Sequence, residues 1–216
     1  MQQRIFCIVG LLLCVITTPL AAQDNQSGQF DYYVLALSWS PNWCLRRGDQ
    51  IQSAQCETGK TFGWILHGLW PQYETGYPAY CKTPHRAPSR KMTADMVDIM
   101  GSSGLAWHQW KKHGTCTGLP AAAYFAKSRQ AYEVIVRPSV FRQLKTDVRL
   151  PAAVVEQAFL AENPALTANM LTITCKGDHI QEARVCLSTS LSPRPCGADV
   201  SRDCRLSRAM FSAIGD

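Results

Sequence analysis

Met170-Leu171-Thr172-Ile173-Thr174-Cys175-Lys176-Gly177-Asp178-His179-Ile180-Gln181-Glu182-Ala183-Arg184-Val185-Cys186-Leu187 decides the fold class. Met170–Cys175 and Ile180–Leu187 alternate apolar with polar residues, the period of a strand, and Lys176-Gly177-Asp178 between them suits a turn. The pair reads as an antiparallel hairpin. Upstream, Phe30–Trp39 is rich in aliphatic, aromatic and β-branched residues and ends at Ser40-Pro41, so it reads as a first, buried strand. Thr61–Leu66 reads as a second strand, stopped by the glycine after His67.

Helical signals lie between these strands. Thr93 is placed to cap a short helix through Met100, and Leu105–His113 reads as a helix ended by Gly114. Pro120 opens a longer helix through Val136, and Pro151 opens another through about Glu162. Cys44–Cys56 reads as a bridged loop or hairpin. Residues 72–92, with three prolines, read as a long irregular loop of the kind that carries function. Strands and helices mix without strict βαβ alternation. The fold class is therefore α+β, a central, largely antiparallel sheet packed with several helices in a single disulfide-bridged domain.

The ends and composition set the context. Residues 1–22 read as a secretory signal: Arg4 supplies the positive start, Ile5–Ile16 the apolar run, and Pro19-Leu20-Ala21-Ala22 the small residues for cleavage. Residues 23–216 form the domain, and no later segment is long and apolar enough to cross a membrane. Two of the ten cysteines, Cys7 and Cys14, fall in the signal. The even set that remains, in an exported chain, reads as disulfides, although spacing alone leaves about 105 pairings. Zinc is disfavoured because no Cys-x-x-Cys occurs. The net charge of +6 suits an anionic partner, but the basic residues are scattered, with modest clusters at Arg86–Lys91 and Arg202–Arg208.

The chemistry concentrates in two segments. They are Phe62-Gly63-Trp64-Ile65-Leu66-His67-Gly68-Leu69-Trp70-Pro71 and Trp107-His108-Gln109-Trp110-Lys111-Lys112-His113-Gly114-Thr115-Cys116, which hold three of the five histidines. Imidazoles give and take protons near neutral pH, and an ammonium holds phosphate charge. With residues every 100° or so around a helix, His108, Gln109, Lys112 and His113 share one side while Trp110 points to the core. Trp64 and Trp107 also read as core anchors. His85 and His179 read as surface or structural residues. The spacing of His108 and His113 is poor for chelating one metal ion.

These two segments resemble the signature pair of the ribonuclease T2 family, secreted endoribonucleases with little base preference. The resemblance implies cleavage of single-stranded RNA, without metal or cofactor, through a 2′,3′-cyclic phosphate to a 3′-phosphate. His113 is then the base of the first step and His67 the acid. His108 binds phosphate, and Lys112 stabilises the transition state. Trp70 stacks on a base, with Tyr73 and Tyr77 as weaker candidates for the same pocket. The resemblance further implies the bridges Cys81–Cys116, Cys175–Cys204 and Cys186–Cys196, leaving Cys44–Cys56. It places the protein outside the cell or in the periplasm, as a monomer whose partner is RNA.

Two positions depart from the family. Gln109 stands where most members carry glutamate, so the expected charge beside His113 is missing and a rate lower by about one to two orders of magnitude is expected, about 1.4–2.8 kcal/mol of barrier. Ser38 stands where a glutamine often helps hold the base after the cleaved bond. The competing reading is a weakened or inactive relative that binds RNA or protein, with Gln109 as its support.

Overall fold

The computed structural model describes residues 25–215; the expected signal at residues 1–22 lies outside them. Six strands form one sheet: β1 Tyr32–Trp39, β2 Trp64–Gln72, β3 Val148–Leu150, β4 Leu171–Lys176, β5 His179–Leu187 and β6 Ala209–Phe211. Their order is β2-β1-β5-β6-β3, with β4 also paired to β5. Every pairing is antiparallel except the short contact of β5 with β6. Six helices accompany the sheet: α1 Ser40–Trp43, α2 Arg90–Ala94, α3 Val97–Met100, α4 Ser103–Lys112, α5 Ala121–Val134 and α6 Ala152–Glu162. The α+β class read from the sequence is the observed one.

The core fills one face of the sheet. Tyr33, Leu35, Leu37 and Trp39 of β1 join Trp64, Leu66 and Leu69 of β2 and residues of α3, α4, α5 and α6. Trp39 is its centre, stacked on Phe211 at 4.4 Å, with its indole N–H donated to the Ser212 carbonyl at 2.8 Å. The opposite face carries Tyr32, Val34 and Trp70.

Strand β2 differs from the sequence reading in an instructive way. It does not stop after His67 but runs through Gly68 to Gln72. Pro71 is tolerated because β2 is the outer strand, where a missing N–H need not break the ladder. The pairing with β1 is regular from Tyr32–Gln72 to Ala36–Gly68, then jumps to Leu37–Leu66. His67 is thus the extra residue of a β-bulge. In a regular strand His67 and Trp70 would face opposite sides. The bulge shifts the phase by one, so both reach the face away from the core while Leu66 and Leu69 keep the core side.

Other boundaries also moved. Cys44–Cys56 is neither hairpin nor plain loop: a π turn over Cys44–Gly48 follows α1, and a 3-10 turn spans Ala54–Cys56. The bridge needs Gly48, since a Cβ there would lie 2.2 Å from Cys56 Sγ. The expected helix from Thr93 to Met100 is two short ones. Ser89, not Thr93, caps the first by accepting from the Met92 N–H, and Asp95 and Met96 separate it from α3. Ser102 caps α4 through the Leu105 N–H. Strands β3 and β6, three residues each, are too short to show a period. The four bridges join Cys44–Cys56, Cys81–Cys116, Cys175–Cys204 and Cys186–Cys196.

Candidate active site

The bulge of β2, the last turn of α4 and the outward face of β5 meet at a cleft of about 430 Å³. His67, Trp70, Tyr77, His108, Gln109, Lys112 and His113 all line it, and Tyr73 does not. Tyr73 is buried, so it offers no ring to a bound base. Trp64 and Trp110 are core residues as expected, whereas Trp107 is 38% exposed on the solvent side of α4.

Each side chain is placed by a local cause. Helix α4 ends at Lys112, and His113 is its C-cap, with the backbone N–H still donated to the Gln109 carbonyl. Its imidazole lies inward, 3% exposed and stacked on Trp70 with centroids 5.2 Å apart. Its Nδ1 is buried without a partner, so Nε2 is the nitrogen left to the cleft. The bridge Cys81–Cys116 ties the chain just beyond His113 to the loop after β2. Trp70 also meets His67 edge-on at 5.2 Å, so the indole is wedged between the two imidazoles. Its N–H is donated to Gln109 Oε1 at 2.8 Å. Gln109, the residue that stands where the family's glutamate was expected, thus fixes Trp70 through its oxygen.

Gly68 is required by this arrangement. A Cβ there would fall 2.2 Å from Gln109 Oε1 and 2.4 Å from Trp70 Nε1, so only glycine lets that hydrogen bond cross the strand.

Two residues that the sequence reading missed complete the site. In β5, Glu182 pairs across β1 at Ser38 and Arg184 at Ala36, on the cleft face. Glu182 is 1% exposed and accepts the Nδ1–H of His67 at 2.5 Å. Its other oxygen accepts from Arg184 Nε at 2.8 Å. An ionised carboxylate only accepts, so this bond fixes the hydrogen on Nδ1 and leaves Nε2 of His67 for the cleft. Burial favours the neutral acid, but hydrogen bonds and charge from His67 and Arg184 outweigh it and hold the Glu182 carboxyl down at about 2. Alternation of polar with apolar residues in β5 is the pattern of any half-buried strand. Nothing local in the sequence distinguishes that from a buried carboxylate under a histidine.

His113 and His108 are both lowered. Burial, aided by the charges of Lys112, His67 and His108, drives the His113 imidazole down to about 2. His108, exposed on α4, is lowered first by burial and then by Lys112, His67 and Lys111. The cleft therefore holds a neutral imidazole at one end and a carboxylate-paired imidazole at the other, with Lys112 between elements that face both. Arg184 lies over the Trp70 ring at 5.2 Å. With His113 stacked there as well, Tyr77, 52% exposed and 5.7 Å below the Lys112 ammonium, is the more accessible ring. Among the described residues, the grouping of metal-type ligands that lies close enough to share an ion is Cys44, Asp49 and Cys56, and both sulfurs are in a disulfide.

His67 also borders a second hollow of about 320 Å³, with Ser38, Gln181 and the start of α4 around it. Ser38 is therefore beside the cleft, at the position that raised the question of the downstream base. No helix among the described residues is long and apolar enough to cross a membrane.

Similarity to known proteins agrees with this geometry. The chain is 37% identical over 119 residues to a ribonuclease of Aeromonas hydrophila, covering 55% of this chain and 52% of that protein. It is 36% identical over 128 residues to a probable ribonuclease of Haemophilus influenzae, covering 54% and 47%. The chain thus spans about half the length of these relatives. The fold is that of an RNase-related protein from Calystegia sepium, with a TM-score of 0.64 at 17% identity, covering 86% of this chain and 97% of that one. The sequence profile described as the ribonuclease T2 family matches residues 30–196, which include every cleft side chain named above, and the chain belongs to that family.

Proposed function

We propose that the protein is an endoribonuclease that cleaves single-stranded RNA by transferring the scissile phosphate to the neighbouring 2′-hydroxyl and then hydrolysing the cyclic product. The observation that carries this reading is the opposed setting of the two imidazoles: His113 buried against Trp70, His67 hydrogen-bonded to Glu182. A neutral His113 accepts the 2′-hydroxyl proton while that oxygen attacks phosphorus. His67, oriented by its hydrogen bond to Glu182, gives a proton to the departing 5′-oxygen. Lys112 and His108 face the phosphate and stabilise its developing charge. In the second step water takes the place of the 5′-oxygen: His67, now neutral, accepts its proton and His113 returns one to the 2′-oxygen. A bound phosphate also offsets the cations that depress His113, which makes it a better base in the complex than in the free protein.

Acid, base and cation are supplied by side chains, so the scheme routes no step through a metal. The four disulfides support a site of action outside the cytoplasm. The test is cleavage of single-stranded RNA by oxidised protein with and without EDTA, beside His113→Ala. Cyclic-phosphate ends that form despite chelator and vanish in the variant are the expected result. No cleavage by folded protein would favour the second reading, a binding relative weakened by Gln109.

A further inference from the structure

The cleft continues past His67. The second hollow shares His67 and Gln181 with the cleft, but not Trp70, Tyr77 or His113. A third hollow, of about 280 Å³, shares Ser38, Trp43 and Gln181 with the second. Its far wall carries Arg46, Arg47 and Lys176. Nothing marks these three in the sequence, where Lys176 is the first residue of a hairpin turn and the arginines sit between two cysteines. Only the fold gathers them.

Their setting is held in place. Asn42 of α1 donates to the Ile180 and Met210 carbonyls at 2.7 and 2.9 Å, and accepts from the Ser212 N–H at 2.8 Å. This pins α1 to β5 and β6, and the π turn bearing Arg46 and Arg47 follows directly, locked by Cys44–Cys56. No Asp or Glu lines the hollow. No ion pair among the described residues involves Arg46, Arg47 or Lys176, a state they share with Lys60, Lys111 and Lys112; what sets them apart is that all three line one hollow. Three uncompensated cations converge on one cavity at the end of a trough that begins at His67. Guanidinium forks suit the oxygens of a phosphodiester.

We propose that this hollow is a phosphate subsite for single-stranded RNA, binding the backbone on the 3′ side of the cleaved bond. The proposal rests on the ribonuclease reading of the cleft. Its direction follows from chemistry: His67 serves the departing 5′-oxygen, so the nucleoside on that oxygen lies on the His67 side, in the second hollow. The next phosphates along the strand then reach Arg46, Arg47 and Lys176. The strand on the 5′ side runs the other way, past Tyr77.

The experiment uses oligonucleotides with one ribonucleotide, and hence one cleavable bond, in a 2′-deoxy strand extended stepwise at either end. In the wild type, two or three further 3′ nucleotides raise kcat/KM about tenfold through KM, and equal 5′ extension does not. In Arg46→Ala/Arg47→Ala/Lys176→Ala that gain collapses, and the slope of log kcat/KM against log salt on the long substrate flattens by about 0.7 for each phosphate that the variant no longer neutralises. Arg86→Ala/Arg90→Ala/Lys91→Ala, outside the trough, retains both. A 3′ gain that survives the first triple variant, or a gain that appears only on 5′ extension, overturns the proposal. Binding of the all-deoxy strand, followed by fluorescence anisotropy, separates the two readings. Weaker binding in the first variant alone upholds the subsite even without cleavage, and equal binding by both variants overturns it.

Discussion

Replacing Glu182 by glutamine tests the site where it is most specific. Glutamine keeps the shape and an oxygen that accepts the His67 Nδ1–H, so the ring stays oriented, but the charge is gone. Two unit charges about 4 Å apart at an effective dielectric of about 20 interact by about 4 kcal/mol. Arg184 shares the same carboxylate, so about half of that, roughly 2 kcal/mol, is the charge interaction lost from the His67 hydrogen bond. Trp70 of β2 and Lys112 of α4 lie in the same cleft and do not change. The expected outcome is a fall in kcat/KM of about 10- to 100-fold. The assay is steady-state cleavage of a dinucleoside monophosphate, with circular dichroism and thermal melting alongside, and Glu182→Asp as partial rescue. A folded Glu182→Gln protein with unchanged kcat/KM would refute the reasoning. A purely structural role would lower Tm, leave kcat/KM of the folded protein where it was and show no rescue by Glu182→Asp.

Gln109→Glu places a charge at the Trp70 indole N–H, one turn before His113 on α4, while retaining an acceptor for that N–H. It should lift His113 toward the working pH, move the acidic limb upward and raise kcat by about tenfold or more; an unchanged or slower variant would show that the site makes no use of charge there. Gly68→Ala forces the Trp70–Gln109 hydrogen bond apart; a stability loss of about 1–3 kcal/mol by denaturant titration, with reduced kcat, is expected. Acid stability has two windows. His113 is depressed from its ordinary 6.5 to about 2, so the unfolded chain binds its proton first and stability is lost as pH falls below about 6.5, by up to 1.4 kcal/mol or so per unit. Glu182, lowered from 4.5 to about 2, adds a second loss as pH falls below about 4.5. Melting curves of His113→Asn should therefore flatten the slope between about pH 6.5 and 4.5 and reduce it beneath, where only the Glu182 loss is left of the two.

How much of this was legible depended on distance along the chain. His108, Gln109, Lys112 and His113 lie within one helical turn and its exit, so spacing alone put them on one wall. The hairpin of β4 and β5 was visible because its turn residues separate two runs of period two. Glu182 was not legible, since it meets His67 across 115 residues and through a bulge that no alternation pattern announces. The same bulge explains why β2 was read as ending early: a glycine inside a strand resembles a stop until the partner strand shows what passes over it. Trp107 and Trp110 illustrate a smaller limit. Residue type suggested that both were core anchors, and only the position of α4 against the sheet divides them. For the cysteines, parity indicated bridges, but partner choice depends on Cα separations that exist only after folding.

His67 occupies the one place in β2 that the ladder does not need. Without it, Leu66 would still oppose Leu37 and Gly68 would still oppose Ala36, and every other β2 side chain would keep its present face. A chain from which His67 is deleted should therefore keep a regular sheet, and any fall in its melting temperature comes from the buried Glu182 left with Arg184 alone. A fall that persists when Glu182 is also replaced by leucine would show that the bulge itself supports the sheet. Ladder and proposed acid are separable here by a single residue, so loss of one codon would remove the group assigned to the leaving oxygen while sparing the strand pairing.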